Sequence, residues 1–247
     1  MPEPTNRPER VISAQRRRRP TKTGAVLSRG LIVDTAIRLL GQHGTDALTV
    51  RRLGTALGAD PSSLYRYFHS TDDLVLAIAD TLIGRCVDGF RPTADWRESL
   101  RDLGHRIHAT WLAHPQAAVL STARVTGRPQ EIRAVETVLG ILLAAGFSPE
   151  QAARHYHSFI DLTLGFAALD AAYKALPRAA ARADHDAWRS TYAALPAASQ
   201  PHISACADAL AATMAGSAYP AALGLFLDGL AGLLPGASRP AGGAPAE

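Results

Sequence analysis

Residues 49–74 read TVRRLGTALGADPSSLYRYFHSTDDL: a short helix, a tight turn, a second short helix and the capped start of a third. That is the layout of a helix-turn-helix, which lays its second helix in the DNA major groove. Thr49 is placed to cap the first helix, and Val50, Leu53 and Leu57 repeat along it at helical spacing. Gly58 can end it, because glycine takes the left-handed conformation without a Cβ clash. Asp60-Pro61 restarts the chain, Asp as cap and Pro at the first helical position, where no N–H is needed. Ser62 and Ser63 then fall in the turn that meets base edges, while Leu64 and Phe68, four apart, lock the helix to a core. Ser70 and Asp73 predict a capping box for the next helix.

Upstream, LSRGLIVDTAIRLLGQHG (27–44) predicts a helix with Ser28 as cap, Ile32, Ala36, Leu39 and Leu40 inward, and Gly44 at its end. Leu48, Thr49, Arg51, Leu53, Leu57, Gly58, Leu64, Tyr65, Tyr67 and Phe68 together resemble the DNA-binding domain of TetR-family transcriptional repressors, and the resemblance covers residues 28 to 83. The Leu-Tyr-x-Tyr-Phe block after a turn makes it specific. Arg51 is the candidate base reader, since Arg bridges guanine O6 and N7. Ser62 and Ser63 should lie near base edges, and Thr49, Tyr65 and Tyr67 should hold phosphates. Arg52, Pro61, His69 and Thr71 complete the expected DNA-facing set. In one place the chain departs from the family, which carries Lys where this chain has Thr71. That predicts weaker phosphate clamping, with the helix start still able to offer an N–H to an anion.

The chain's 247 residues suffice for one large domain or two small ones, and its formal charge of +4 is unevenly placed. Residues 1–70 hold 12 Lys and Arg against 5 Asp and Glu, while the remainder holds 14 against 17. A basic reading head on a near-neutral body suits a DNA-binding regulator. Two distant cysteines, Cys86 and Cys206, indicate no disulfide framework. The N-terminus lacks the apolar run of a signal peptide, and no stretch of about 18 apolar residues predicts a membrane span. The expectation is a soluble, cytoplasmic protein.

Residues 1–27, with Arg16–Arg19 at their centre, read as a disordered basic arm, either an electrostatic arm on DNA or a solvated tail. Residues 28–70 read as the helix-turn-helix domain, 71–234 as a helical ligand-binding and dimerisation domain, and 235–247 as a Pro/Gly/Ala-rich disordered tail. Helices are predicted over about 71–90, 95–113, 116–124, 129–145, 149–176 and 219–234. Residues 177–217 read as a mobile loop with short helices around Trp188 and Ile203. No strand alternation is present, so the fold class is all-α.

The body also resembles the tetracycline-repressor branch of that family, through TADWRESLRDL, TGRP, AGFSPEQA, FIDLTLGFAALD and GLFLDGLAGLL. The resemblance implies a homodimer in which the helices over 150–176 and 219–234 pair with their copies, Gly165 and Gly224 allowing close approach. It also implies an effector pocket among the middle helices. The family's magnesium–tetracycline site is not carried over: Val87, Leu103 and Leu169 stand at its polar positions, and the loop 116–128 has no His. The remaining candidate ligand residues are Val87, Phe90, Leu103, Ile107, Trp111, Val138, Leu142 and Phe159, which suggest an apolar or aromatic ligand. His108 and His157 are candidate polar anchors.

His105 and His108 share a helical face, but no Cys or carboxylate completes a metal site, so no metal and no cofactor is expected. No Gly-x-Ser-x-Gly elbow, phosphate loop or dinucleotide fingerprint points to an enzyme. The reading is a ligand-responsive regulator, a repressor on a palindromic operator. The alternative is an architectural protein that coats DNA without a specific effector.

Overall fold

The computed structural model describes residues 26–213 and 216–234. The predicted tail over 235–247 and nearly all of the basic arm, with Arg16–Arg19, lie outside the described residues. The chain folds as ten α-helices and two 3₁₀ helices among the described residues. The first helices are α1 (Arg29–His43), a 3₁₀ turn (Thr45–Ala47), α2 (Val50–Leu57), a second 3₁₀ helix (Pro61–Arg66) and α3 (Thr71–Val87). They are followed by α4 (Trp96–Ala113), α5 (Pro115–Ser121), α6 (Pro129–Ala144), α7 (Pro149–Ala175), α8 (Arg178–Ala193), α9 (Pro201–Thr213) and α10 (Tyr219–Ala231).

The helix starts follow from their caps. Ser28 accepts the Leu31 N–H, Thr49 the Arg52 N–H and Asp60 the Ser62 N–H, each satisfying a donor that the first turn leaves free. Gly58 closes α2 in the left-handed conformation, at φ 60° and ψ 33°. The box predicted at Ser70 is only half made. Ser70 accepts the Asp73 N–H at 3.0 Å, but the Asp73 carboxylate accepts the N–H of His69, one residue earlier, at 2.9 Å.

The head forms around Ile32, Ala36, Leu40, Leu53, Leu57, Leu64 and Phe68, all buried. Its floor is α3, which packs on α1 and continues into the body against α4, α5 and α6. One helix thus belongs to both units. In the body the main packing joins α4 to α7, with α10 lying on both.

Gly104 on α4 permits that approach. A Cβ there would lie 2.5 Å from the Tyr219 hydroxyl and 3.1 and 3.2 Å from Leu223 and Phe159. The Tyr219 hydroxyl is 3.0 Å from the Thr163 hydroxyl, and both residues are fully buried. Burial pushes the Tyr219 phenol up to about 12, so it stays neutral and able to donate.

The short helices expected around Trp188 and Ile203 are present, and longer than expected. They form α8 and α9, which pair with each other and bury no residue. Their alanines favour helix on propensity alone.

Candidate functional site

The helix-turn-helix presents one exposed face. Arg51 and Arg52 project from α2 into solvent beside Thr49, Thr55 and His43, around a shallow groove. Pro61, Ser62 and Tyr65 are exposed on the segment that follows, and His69 and Thr71 continue the face to the start of α3. The recognition segment is 3₁₀ and six residues long. Both the N–H and the hydroxyl of Ser63 donate to the Asp60 carbonyl, at 2.9 and 2.6 Å, which tightens the first turn to an i→i+3 bond. Ser63 is therefore half-buried with its hydroxyl occupied.

Tyr67 also differs from expectation. Its hydroxyl donates to the Leu27 carbonyl at 2.7 Å, and its own carbonyl accepts Arg29 Nη1 at 2.6 Å. In this structure Tyr67 fastens the segment ahead of α1 to the recognition segment, and its hydroxyl is not directed to a phosphate.

Behind the head, a cavity of about 210 Å³ opens between α3, α4, α6, α7 and the loop after α5. Among the predicted ligand residues, Val87, Leu103, Ile107, Trp111, Val138 and His157 line it. Four do not. Leu142 and Phe159 are fully buried in the core. Phe90 borders a separate, more open groove of about 480 Å³ with Arg91, Trp96 and Arg133. His108 is a strut: its Nε2 lies 2.8 Å from Asp170, its ring stacks on Tyr219 at 4.4 Å, and Asp170 also accepts from the Ser217 hydroxyl. Leu169, at an aligned ligand position, is exposed on the outer face of α7. The helical period allowed all these residues inward positions, and which neighbour each meets is decided by tertiary packing.

The cavity also takes residues that periodicity did not single out. Cys86, Ser121, Thr122, Arg124, Glu131 and Tyr156 line it. Trp111 Nε1 donates to the Thr122 hydroxyl at 3.1 Å, fixing the indole against the loop. Burial pushes the Cys86 thiol up to about 11, and burial with nearby Glu131 and Asp161 raises the Tyr156 phenol, so both walls are neutral at neutral pH. Glu131 is committed to the loop, one carboxylate oxygen accepting Thr126 N–H, Thr126 hydroxyl and Gly127 N–H at 2.9, 3.0 and 2.6 Å. Among the described residues no cluster of three His, Cys, Asp or Glu is placed to hold a metal ion.

The loop joins cavity to head. Arg124 meets Asp72 in a two-pronged pair at 2.7 and 2.9 Å. Arg128 pairs with the Asp73 carboxylate and donates to the Asp73 carbonyl at 3.0 Å, with Arg29 3.6 Å from the same carboxylate. Hydrogen bonding to Arg124 holds the Asp72 carboxyl below the usual carboxylate range. Asp72 and Asp73 lie in the first turn of α3, directly after the recognition segment.

The outer faces of α7 and α10 carry Leu169, Tyr173 and Leu225 in solvent, with Leu176 just beyond α7 and Leu233 just beyond α10. Gly165 and Gly224 have open space above them. Among the described residues no helix is long and apolar enough to cross a membrane.

This arrangement has known counterparts. Residues 32–78 match the family described as bacterial regulatory proteins, tetR family, and residues 90–234 match the tetracyclin repressor-like C-terminal domain. An HTH-type transcriptional regulator of Saccharopolyspora erythraea is 29% identical over 127 residues, which is 51% of this chain and 54% of the relative. The chain thus spans about half the length of that relative. The class A tetracycline repressor from transposon 1721 in Escherichia coli is 26% identical over 202 residues, covering 81% of this chain and 88% of the repressor. The crystal structure of a possible TetR family transcriptional regulator from Streptomyces coelicolor A3(2) superposes with TM-score 0.67 at 29% identity, over 84% of this chain and all of the other.

Proposed function

The chain belongs to the TetR family of transcriptional regulators, and on that premise we propose that it is a repressor released from a palindromic operator by an apolar or aromatic small molecule. The observation that carries the reading is α3: its first residues adjoin the exposed Arg51–Tyr65 face, and its last turns wall a mostly apolar cavity. A ligand in that cavity presses on the helix that sets the position of the head. Its leverage is its differential affinity for the two positions.

The protein works by binding rather than catalysis, as a homodimer in the cytoplasm. The apolar outer faces of α7 and α10 support the dimer, because exposed apolar patches of this kind mark association surfaces. Two heads then read half-sites about one DNA turn apart, ~34–36 Å. Arg51 reads a base with Ser62 beside it, and Tyr65, exposed on the same segment, holds a phosphate. Thr49, Arg52, Pro61, His69 and Thr71 supply backbone contacts, and Ser63 and Tyr67 act chiefly by shaping the segment. The acidic first turn of α3 disfavours a phosphate there, so Thr71 is the weakest of these contacts.

Selection of bound fragments from random DNA by the full-length protein tests the reading. A palindromic consensus is expected, and excess random DNA should leave the selected complex intact. Binding that random DNA competes away would favour an architectural coating protein. On the selected site, Arg51→Ala should cost ~1–3 kcal/mol and relax the preference at one base pair of each half-site. Equal loss on selected and random DNA would remove Arg51 from base reading.

A further inference from the structure

The cavity contains one guanidinium, and its present partner is replaceable. Arg124 lines the cavity, and no other Arg or Lys is among its lining residues. Glu131, the lining carboxylate, has one oxygen taken by three donors from Thr126 and Gly127. Arg124 is held instead by Asp72, across a pair whose side chains are 38% and 60% exposed. Exposed pairs of this kind are weak, since water solvates both partners. A carboxylate or sulfonate arriving from the cavity side offers two oxygens to the same guanidinium, and its apolar body would shield that side from water, which makes a charged hydrogen bond stronger.

We infer that the effector carries an acidic group on its apolar body, a carboxylate or sulfonate, and that this group takes the Arg124 guanidinium from Asp72. The inference rests on the cavity being the effector site. The exchange has a direct consequence for the head. Asp72 and Asp73 are adjacent like charges in the first turn of α3, and each has its own arginine from the loop. Removing Arg124 leaves Arg128 as the loop's remaining ion-pair tie to that turn. The start of α3, four residues beyond the recognition segment, is then freer to move relative to the body.

The test uses two fluorescent probes of one shape, 1-anilinonaphthalene-8-sulfonate and the uncharged N-phenyl-1-naphthylamine, with the full-length dimer. Cavity binding is defined as the signal lost in Ala134→Phe, which fills the wall of the cavity from α6. Arg124→Gln should weaken the sulfonate probe roughly tenfold and leave the uncharged probe within about twofold. Asp72→Asn, which removes the competitor and not the cation, should tighten the sulfonate probe roughly threefold. At equal occupancy the sulfonate probe should release operator DNA and the uncharged probe should not. Parallel loss of both probes in Arg124→Gln, or no tightening in Asp72→Asn, overturns the acid–arginine exchange while the cavity stands. If neither probe gives a signal sensitive to Ala134→Phe, the effector cavity itself is wrong, and the exchange falls with it.

Discussion

Leu225→Arg should sediment as a folded monomer and lose operator affinity by roughly a hundredfold or more. Leu225 is 74% exposed on α10, so within one protomer the substitution touches almost nothing, and helical content and melting of the isolated subunit should be preserved. In the proposed dimer the same position would be covered, and an arginine there would be an unpaired charge removed from water. Operator affinity falls because each head alone reads one half-site. Joining two heads raises avidity by ~10²–10⁴ without any new contact, and that gain disappears with the partner. Leu169→Arg, at an exposed position of α7, should behave alike. A Leu225→Arg protein that sediments as a dimer and keeps the operator would place the subunit contact elsewhere.

Gly104→Ala should destabilise the body by about 2–6 kcal/mol. The new methyl would sit 2.5 Å from the Tyr219 hydroxyl, which must move and give up its bond to Thr163. Overpacking a tight core costs ~1–3 kcal/mol, and displacing a buried hydroxyl from its partner adds ~1–3 kcal/mol. Tyr219→Phe removes the obstructing oxygen. Alone it should cost only ~1 kcal/mol, because Thr163 still donates to the Phe159 carbonyl at 2.8 Å. The double variant should therefore be more stable than the sum of the single losses predicts. Urea denaturation of the four proteins measures the coupling, and strict additivity would mean that the hydroxyl is not the point of contact.

Local chemistry made the head legible. Ser28, Thr49, Asp60-Pro61 and Gly58 act on their own neighbours, so their effects can be read from spacing alone, and each lies where the pattern predicts. Contacts between distant segments were less legible. Tyr67 spends its hydroxyl on Leu27, forty residues away, and no local pattern signals that. Phe90, His108, Leu142 and Phe159 have the right character for a ligand pocket, but packing turns them to a groove, a strut and the core. Arg124 comes from a loop, where no periodicity marks an inward side chain. The short helices expected around Trp188 and Ile203 are α8 and α9, and only their length was not legible, since neither buries a residue that would mark its ends.

The shared helix α3 also governs how the molecule comes apart. Leu74 and Ile78 are buried, α1 rests on the same helix, and that helix is equally a wall of the body. A fragment ending at residue 70 would expose the apolar underside of α1 and Phe68, and would lack the Asp73 carboxylate that receives the His69 N–H. The reading head is therefore not a detachable module. Excised at that boundary it should be molten, and in the intact chain head and body should melt in one cooperative step, a graft of this head onto another regulator requiring α3 to travel with it.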